Sequence, residues 1–244
     1  MIEIKNLYKD FGELNVLKGI NLSIHEGEVV SIIGGSGSGK STMIRCINGL
    51  EKITSGTLTV DGFDVTKPSE LLEARKKCAT VFQQFDLYPH LNVVDNITLA
   101  PINVLGLSKA EAQIKAMELL DSMAMSDRAT FYPSQLSGGQ KQRAGICRAL
   151  AMNPRYLLLD EITSSLDPEM TAEVLEILKL LVKRGITMIC VTHEIDFARE
   201  ISDRIVFLDE GTILKDMDKQ SFFNDDGGLM EPRIAKFLTK MATI

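Results

Sequence analysis

The chain has 244 residues, 45% of them hydrophobic, and its 27 basic and 33 acidic side chains give a formal net charge of −6. This length and apolar content allow one large domain, or one domain with an inserted lobe, and disfavour disorder. An acidic balance is not typical of proteins that bind nucleic acid through a basic surface, so no nucleic-acid partner is expected.

The spacing of the cysteines and the lengths of the apolar runs indicate the cellular compartment and the kinds of metal or membrane site that the chain could have. The four cysteines lie far apart without a CxxC pair, which disfavours a structural zinc site and predicts buried thiols in a reducing compartment. No window of 18 or more apolar residues could span a bilayer, and Met1 to Lys5 lacks the features of a secretion signal. We therefore expect a soluble, cytoplasmic chain.

The N-terminal third has the pattern of strands with short turns. From Ile2 to Ile33, apolar residues alternate over stretches broken by Asp10-Phe11-Gly12 and His25-Glu26-Gly27, which predicts antiparallel strands leading into a buried strand. Thr57 to Val60 followed by Asp61-Gly62 predicts a further hairpin. A short helix is predicted next, at Ser69 to Lys77, and a buried strand follows it at Cys78 to Phe82.

A phosphate-binding loop follows the buried strand Val29 to Ile33. The segment Gly34 to Thr42 fits the spacing GxxxxGK[ST] between a strand and a helix. In such a loop the backbone N–H groups surround the α- and β-phosphates, Lys40 reaches the β- and γ-phosphates, and the Ser41 hydroxyl is placed for Mg²⁺. The predicted nucleotide-binding residues are Gly34, Gly35, Ser36, Gly37, Ser38, Gly39, Lys40, Ser41 and Thr42.

The region from Phe85 to about Leu150 is mainly helical in pattern. A capping box of Ser108 and Glu111 precedes a helix at Ala112 to Met123, and a second helix is predicted at Gly139 to Met152. This region is the candidate inserted lobe.

A second glycine-rich motif opens the latter helix. Leu136 to Arg143 reads LSGGQKQR, in which Ser137 can cap the helix while Gly138 and Gly139 let backbone N–H groups approach an anion. The helix dipole adds positive potential there. The chain thus has two predicted anion sites but one phosphate-binding loop.

Strands and helices alternate after the lobe, which predicts a mostly parallel, doubly wound core. The predicted elements are a strand at Tyr156 to Leu159, a helix from Asp167-Pro168-Glu169 to Arg184, a strand at Ile186 to Val191, a helix at Glu194 to Ile201 and a strand at Arg204 to Leu208. In the tail, Asp225 to Gly228 reads as a break before a short helical pattern that follows Glu231.

Two adjacent acids, Asp160 and Glu161, end the strand that begins at Tyr156. Open α/β sheets place ligands at the carboxyl ends of their strands, and P-loop NTPases use an acid there to hold Mg²⁺. Two acids in this position are by themselves often a solvated turn, but the phosphate-binding loop favours the catalytic interpretation.

Together these motifs resemble, in order and spacing, the nucleotide-binding domain of ATP-binding cassette (ABC) transporters, over nearly the whole chain. The residues that carry the resemblance are Gly34 to Thr42, Gln83, Leu136 to Gln140, Asp160-Glu161, Asp167 and Thr192-His193. Wider stretches resemble the polar amino-acid importer branch: Val81 to Phe85, Tyr132 to Gln140, Val191 to Glu194 and Phe197 to Glu200.

The resemblance implies an α/β P-loop NTPase fold with a mostly parallel core sheet, an N-terminal antiparallel β subdomain and an inserted α-helical subdomain. One ABC ATPase domain would span residues 1–244. Its RecA-like core and β subdomain would occupy about 1–84 and 153–244, and its helical subdomain about 85–152.

The resemblance also implies the site. Two copies would pair head to tail, and Ser137, Gly138, Gly139, Gln140 and Asp167 of one would contact the ATP held by the other. Glu161 would polarise the attacking water, His193 would contact the γ-phosphate, and Ser41, Asp160 and Gln83 would support Mg²⁺. Gln84 is a rival for the role of Gln83. Phe11 would stack on adenine and Val16 would meet the sugar and base, with Tyr8 as the alternative for stacking.

The implied partners are integral membrane permease subunits, a paired ATPase subunit and, indirectly, an extracytoplasmic solute-binding protein, with the chain peripheral on the inner face of the cell membrane. Gln84 to Leu91 would receive a permease helix, although its apolar residues could equally pack internally. The expected function is ATP hydrolysis coupled to uptake of a polar amino acid. Another cargo, or an ABC-type clamp outside transport, remains an alternative. Ile162 departs from the family pattern, which usually has proline there.

Overall fold

The computed structural model describes residues 1–83, 86–164, 166–224 and 231–241. Within them, the N-terminal strands form a four-stranded antiparallel sheet in the order β2-β1-β4-β5. The strands are β1 (Ile2–Phe11), β2 (Leu14–Ile24), β4 (Ser55–Val60) and β5 (Phe63–Asp64). The predicted antiparallel strands and the hairpin at Asp61-Gly62 are confirmed.

A second sheet of the described residues has the order β10-β9-β3-β8-β7-β6. Five of its strands run parallel, and β10 pairs antiparallel with β9 at one edge. The strands are β3 (Val29–Ile33), β6 (Cys78–Phe82), β7 (Tyr156–Asp160), β8 (Thr187–Val191), β9 (Arg204–Asp209) and β10 (Thr212–Asp218). The mostly parallel core is confirmed, whereas β10 was not predicted because its side chains are mostly half-exposed and polar.

Helices cover the larger sheet and form the lobe. They are α1 (Lys40–Ile47), α2 (Pro68–Lys77), α3 (Val93–Leu105), α4 (Lys109–Ser122), α5 (Gly138–Leu150), α6 (Pro168–Lys183), α7 (Ile195–Ile201), α8 (Lys219–Asn224) and α9 (Pro232–Met241). The predicted capping box is present, since the Ser108 hydroxyl accepts from the Glu111 N–H and the Glu111 carboxylate accepts from the Ser108 N–H. Helix α3 was predicted only as part of a helical region, because Pro101 lies inside it.

Sheet order brings the motifs together. Strands β3, β8 and β7 are buried neighbours that run in one direction, so the segments after their carboxyl ends meet at one edge of the sheet. These segments are the phosphate-binding loop, Thr192-His193 and Asp160-Glu161. Gln84, Phe85 and Asp225 to Gly228 lie outside the described residues, as does the predicted domain boundary at 84 and 85. No helix among the described residues is long and apolar enough to cross a membrane.

Candidate nucleotide-binding site

The phosphate-binding loop is held tightly by the strands behind it. A Cβ on Gly34 would lie 2.0 Å from the Leu208 carbonyl oxygen, and one on Gly39, where φ is +104°, would lie 2.7 Å from the Leu17 side chain. Only glycine fits at these two positions. They fix the course of the loop beside the cavity.

Lys40 lies across this loop. Its ammonium donates to the carbonyl oxygens of Gly34 and Gly35, each at 2.9 Å, and the residue is only 4% exposed. Burial lowers the pKa of Lys40, although the charges of Glu161 and Asp160 act in the opposite direction. A buried ammonium with two carbonyl partners is a strong site for an anionic phosphate oxygen.

Ser41 and Asp160 meet at the start of α1. The Ser41 hydroxyl donates to a carboxylate oxygen of Asp160 at 2.7 Å. Burial raises the pKa of Asp160, and the bond from Ser41 opposes this only in part. Gln83 lines a cavity of about 470 Å³ together with Ser41 and Asp160, so the three predicted metal-supporting residues share one space.

These residues fit Mg²⁺, which prefers oxygen ligands and usually takes one or two from a protein beside water and phosphate oxygens. A hydroxyl, a carboxylate and an amide oxygen are available here. No group of three or more His, Cys, Asp or Glu side chains suited to a metal occurs among the described residues.

Glu161 and His193 form a close pair beside the loop. His193 Nε2 lies 2.6 Å from Glu161 Oε1, and the two side chains are 32% and 20% exposed. Glu161 has φ of +52°, a conformation uncommon for non-glycine residues, and its backbone N–H donates to the Val191 carbonyl at 2.9 Å. Strained backbone at the end of a strand often marks a functional residue.

A cavity of about 350 Å³ joins this pair to the loop. It is lined by Leu14, Val16, Ser36, Gly37, Ser38, Gly39, Lys40, Ser41, Thr42, Glu161 and His193. Leu14, 65% exposed, was not among the predicted residues. Its signal in the sequence was an apolar residue beside the turn at Gly12, between two strands.

Of the predicted base-binding residues, one lines the cavity and another lies on the protein surface outside it. Val16 lines the cavity, whereas Phe11 does not and is 46% exposed, with the Lys9 ammonium 4.2 Å from its ring centroid. Tyr8, the alternative, lies against Gly19. The structure therefore brings Val16 to the loop and leaves Phe11 at the rim of the antiparallel sheet.

The second glycine-rich motif forms a capped helix start away from this cavity. The Ser137 hydroxyl accepts from the Gln140 N–H, and the Gln140 side chain accepts from the Ser137 N–H, which confirms the predicted cap. Within the described residues, none of Ser137, Gly138, Gly139 or Gln140 lines the cavity around the loop. The phosphate-binding loop and the helix start at Ser137 of one chain therefore do not line this cavity together.

Met170 connects this motif to Asp167. The Gly139 N–H donates to the Met170 sulfur at 3.2 Å, and a carboxylate oxygen of Asp167 accepts from the Met170 N–H at 2.9 Å as the predicted cap of α6. Ser137 to Gln140 therefore lie close to the start of α6 at Asp167, although Asp167 comes 27 positions after Gln140 in the sequence.

A separate groove lies between β6 and the helical lobe. Its volume is about 750 Å³, and its lining is mostly apolar, with Phe82, Tyr88, Leu99 and Val104 among its residues. Tyr88 and Asp86 are the residues of the predicted docking segment that contribute to it. Leu99 and Tyr88 are 38% and 44% exposed, so apolar surface faces solvent here.

Comparison with known proteins decides the family. The profile of the ABC transporter family matches residues 17–164, which contain both glycine-rich motifs and the Asp160-Glu161 pair. The chain belongs to the ABC transporter family. It is 50% identical to the glutamine transport ATP-binding protein GlnQ of Geobacillus stearothermophilus over 242 residues, which is 99% of each chain. It is 51% identical to the arginine transport ATP-binding protein ArtM of Bacillus subtilis over 224 residues, covering 91% and 93% of the two chains.

Solved structures of the family have the same fold. A dimeric ATP-binding cassette, MJ0796, in a post-hydrolysis state with ADP and Pi, superposes with a TM-score of 0.82 at 39% identity, over 90% of this chain and 99% of that one. CbiO1 from Clostridium perfringens, part of the transporter complex CbiONQ, superposes with a TM-score of 0.82 at 29% identity over 98% of both. The predicted ABC ATPase fold is confirmed.

Proposed function

We propose that this ABC protein is the ATP-hydrolysing subunit of an importer for a polar amino acid. The observation that carries the proposal is the Glu161–His193 pair in the cavity that Lys40 and the phosphate-binding loop line. Relatives that are about 50% identical over nearly their whole length, and are named for glutamine and arginine transport, support the cargo class.

In the proposed reaction the chain mainly positions ATP and stabilises charge. The loop N–H groups and Lys40 bind the phosphates, and Glu161 orients the water and accepts its proton. The His193 imidazole would donate to the γ-phosphate, which a carboxylate cannot do when ionised. Ser41, Asp160 and Gln83 would hold Mg²⁺, which supplies charge neutralisation on the phosphates when bound.

A second chain would complete the site. The capped N-terminus of α5 can supply N–H groups and positive potential to a phosphate, but within its own chain it lies apart from the loop. A head-to-tail dimer would place Ser137 to Gln140 and Asp167 of one copy against the ATP of the other. The dimeric state of the related MJ0796 cassette supports pairing of two chains.

The groove beside the helical lobe is the proposed permease contact. Its exposed apolar residues, Tyr88, Leu99 and Val104, suit the apolar face of an amphipathic helix. Docking there would hold the chain at the inner face of the cell membrane. An extracytoplasmic solute-binding protein would then act on the permease and not on this chain.

Co-purification with a membrane permease tests the proposed function. The reconstituted complex should hydrolyse ATP faster when a polar amino acid and its binding protein are supplied on the opposite side. Stimulation only by a metal ion or a lipid would overturn the cargo assignment, and failure to recover any permease would overturn the transport assignment.

Leu99→Asp tests the groove. The variant should keep ATP binding but lose the permease, because a charge would enter the apolar contact. Leu180→Asp is the matched control, since Leu180 is a 51% exposed leucine on α6 outside the groove. Equal permease recovery by both variants would exclude the groove as the docking site.

A further inference from the structure

A second cavity adjoins the phosphate-binding loop. It has a volume of about 490 Å³ and lies between the loop, the end of β9 and the C-terminal helix α9. Ser36 and His193 line both this cavity and the one around the loop. The two cavities are therefore neighbours on the His193 side of the loop.

Helix α9 is anchored firmly at this place. Ile234 is 1% exposed and packs in a cluster with Phe222, and the ring of Phe237 contacts that of Phe207 at a centroid distance of 5.2 Å. The Arg233 guanidinium donates to both carboxylate oxygens of Asp209, at 2.7 and 3.0 Å. The helix thus has an apolar anchor and a bidentate ionic one.

This docking places basic side chains around the cavity. Arg233, Lys236 and Lys240 stand at spacings that repeat on one face of a helix, and all three line the cavity. The Asp209 carboxylate also lines this cavity, and it forms a salt bridge with Arg233. Neither lysine forms a salt bridge with a carboxylate of the described residues, so two ammonium groups with free donors face this space.

We propose that this cavity binds inorganic phosphate released from the loop, with Lys236 and Lys240 as the main ligands. This inference rests on the proposed ATPase function. The product phosphate is multiply negative, and beside the loop it faces the carboxylates of Glu161 and Asp160. The neighbouring lysines offer charge-assisted hydrogen bonds instead, which favour departure from the site of hydrolysis.

Phosphate binding to the full chain tests the proposal. Equilibrium dialysis with radiolabelled inorganic phosphate would be run while a non-hydrolysable ATP analogue fills the loop, so that binding reports on the second cavity. The double variant Lys236→Gln/Lys240→Gln should bind phosphate roughly tenfold more weakly. The matched control is Lys109→Gln/Lys183→Gln, which removes two exposed lysines outside the cavity and should change the affinity less than about twofold.

Measuring affinity for the ATP analogue in the same preparations separates this proposal from the proposed function. Normal analogue binding with equal phosphate affinity in the native chain and the double variant would overturn the phosphate site, as would no phosphate binding by the native chain. Loss of analogue binding by the native chain would instead contradict the ATPase function. In turnover assays, inhibition by added phosphate should weaken in the double variant but not in the control.

Discussion

The chain has two glycine-rich helix starts of the kind that can bind anions. They differ in the side chains that surround them. The phosphate-binding loop is surrounded by polar side chains for which we propose roles in ATP hydrolysis, with Lys40 across it and Ser41, Asp160, Glu161 and His193 at its side. The helix start at Ser137 has a capping box with Gln140, and its Gly139 N–H donates to the thioether of Met170.

This difference shows that similar backbone chemistry can serve two roles. In the proposed reaction the loop binds and orients a phosphate near the acids, whereas the start of α5 would add N–H groups and the helix dipole to a phosphate held by another chain.

Glu161→Gln removes the carboxylate that we propose accepts the proton from water, and it keeps the size of the side chain. We expect turnover to fall on the order of 10³-fold while ATP still binds. ATP-bound dimers should accumulate because opening requires hydrolysis, and size-exclusion chromatography with ATP would measure them. Fast hydrolysis by this variant would remove Glu161 from the catalytic role.

Ser137→Arg blocks the α5 helix start with a bulky side chain. Turnover should fall on the order of 10²-fold, while ATP affinity of the monomer changes less than about twofold, because Ser137 lies outside the cavity of its own loop. Steady-state hydrolysis and monomer nucleotide binding measure the two effects.

Ser108→Arg is the matched control, since Ser108 caps α4 with the same type of capping box. Both variants should lose about 1 kcal/mol of stability with the cap, but only the change at Ser137 should stop turnover. Normal hydrolysis by the Ser137 variant would contradict the two-chain site.

Asp160→Asn tests the cost of the buried acid in the loop's own site. Because burial raises the pKa of Asp160, ionisation of this carboxyl in the folded chain costs stability at neutral pH. The variant should be more stable by about 1 kcal/mol in the absence of nucleotide, while Mg²⁺-dependent hydrolysis is lost.

The pH dependence of Asp160→Asn has a defined sign. The carboxyl of the native chain becomes neutral as the pH falls below its raised pKa, so the stability advantage of the variant should shrink in acid. Melting temperatures measured from neutral to acidic pH would test this. An advantage that grew as the pH fell would show that the charge of Asp160 stabilises the fold.

Ile162→Pro has the smallest expected effect. Proline would restrict the backbone around Glu161, and we expect turnover of the assembled transporter to rise about two- to threefold. Ile162 is 2% exposed in the core, so the variant should also lose about 1 kcal/mol of stability in thermal unfolding. Unchanged turnover would show that Ile162 does not impair the positioning of the Glu161 side chain.

Motifs whose chemistry is local were predictable from the sequence. The loop spacing, the caps at Ser108, Ser137 and Asp167, and the buried parallel strands depend on residues close together in the chain, and the structure contains them. Strand β10 and the contribution of Leu14 were missed because partly exposed residues give weak periodicity.

The sequence by itself determined the phosphate-binding loop, the family and the alternation of strands and helices, because these follow from short spacings and apolar periods. Only the tertiary structure decided which distant groups meet. It placed His193 at 2.6 Å from Glu161, kept Ser137 outside the cavity around the loop of its own chain, and brought Lys236 and Lys240 to the second cavity beside that loop. Such contacts depend on strand order and on long-range packing, which no local pattern encodes.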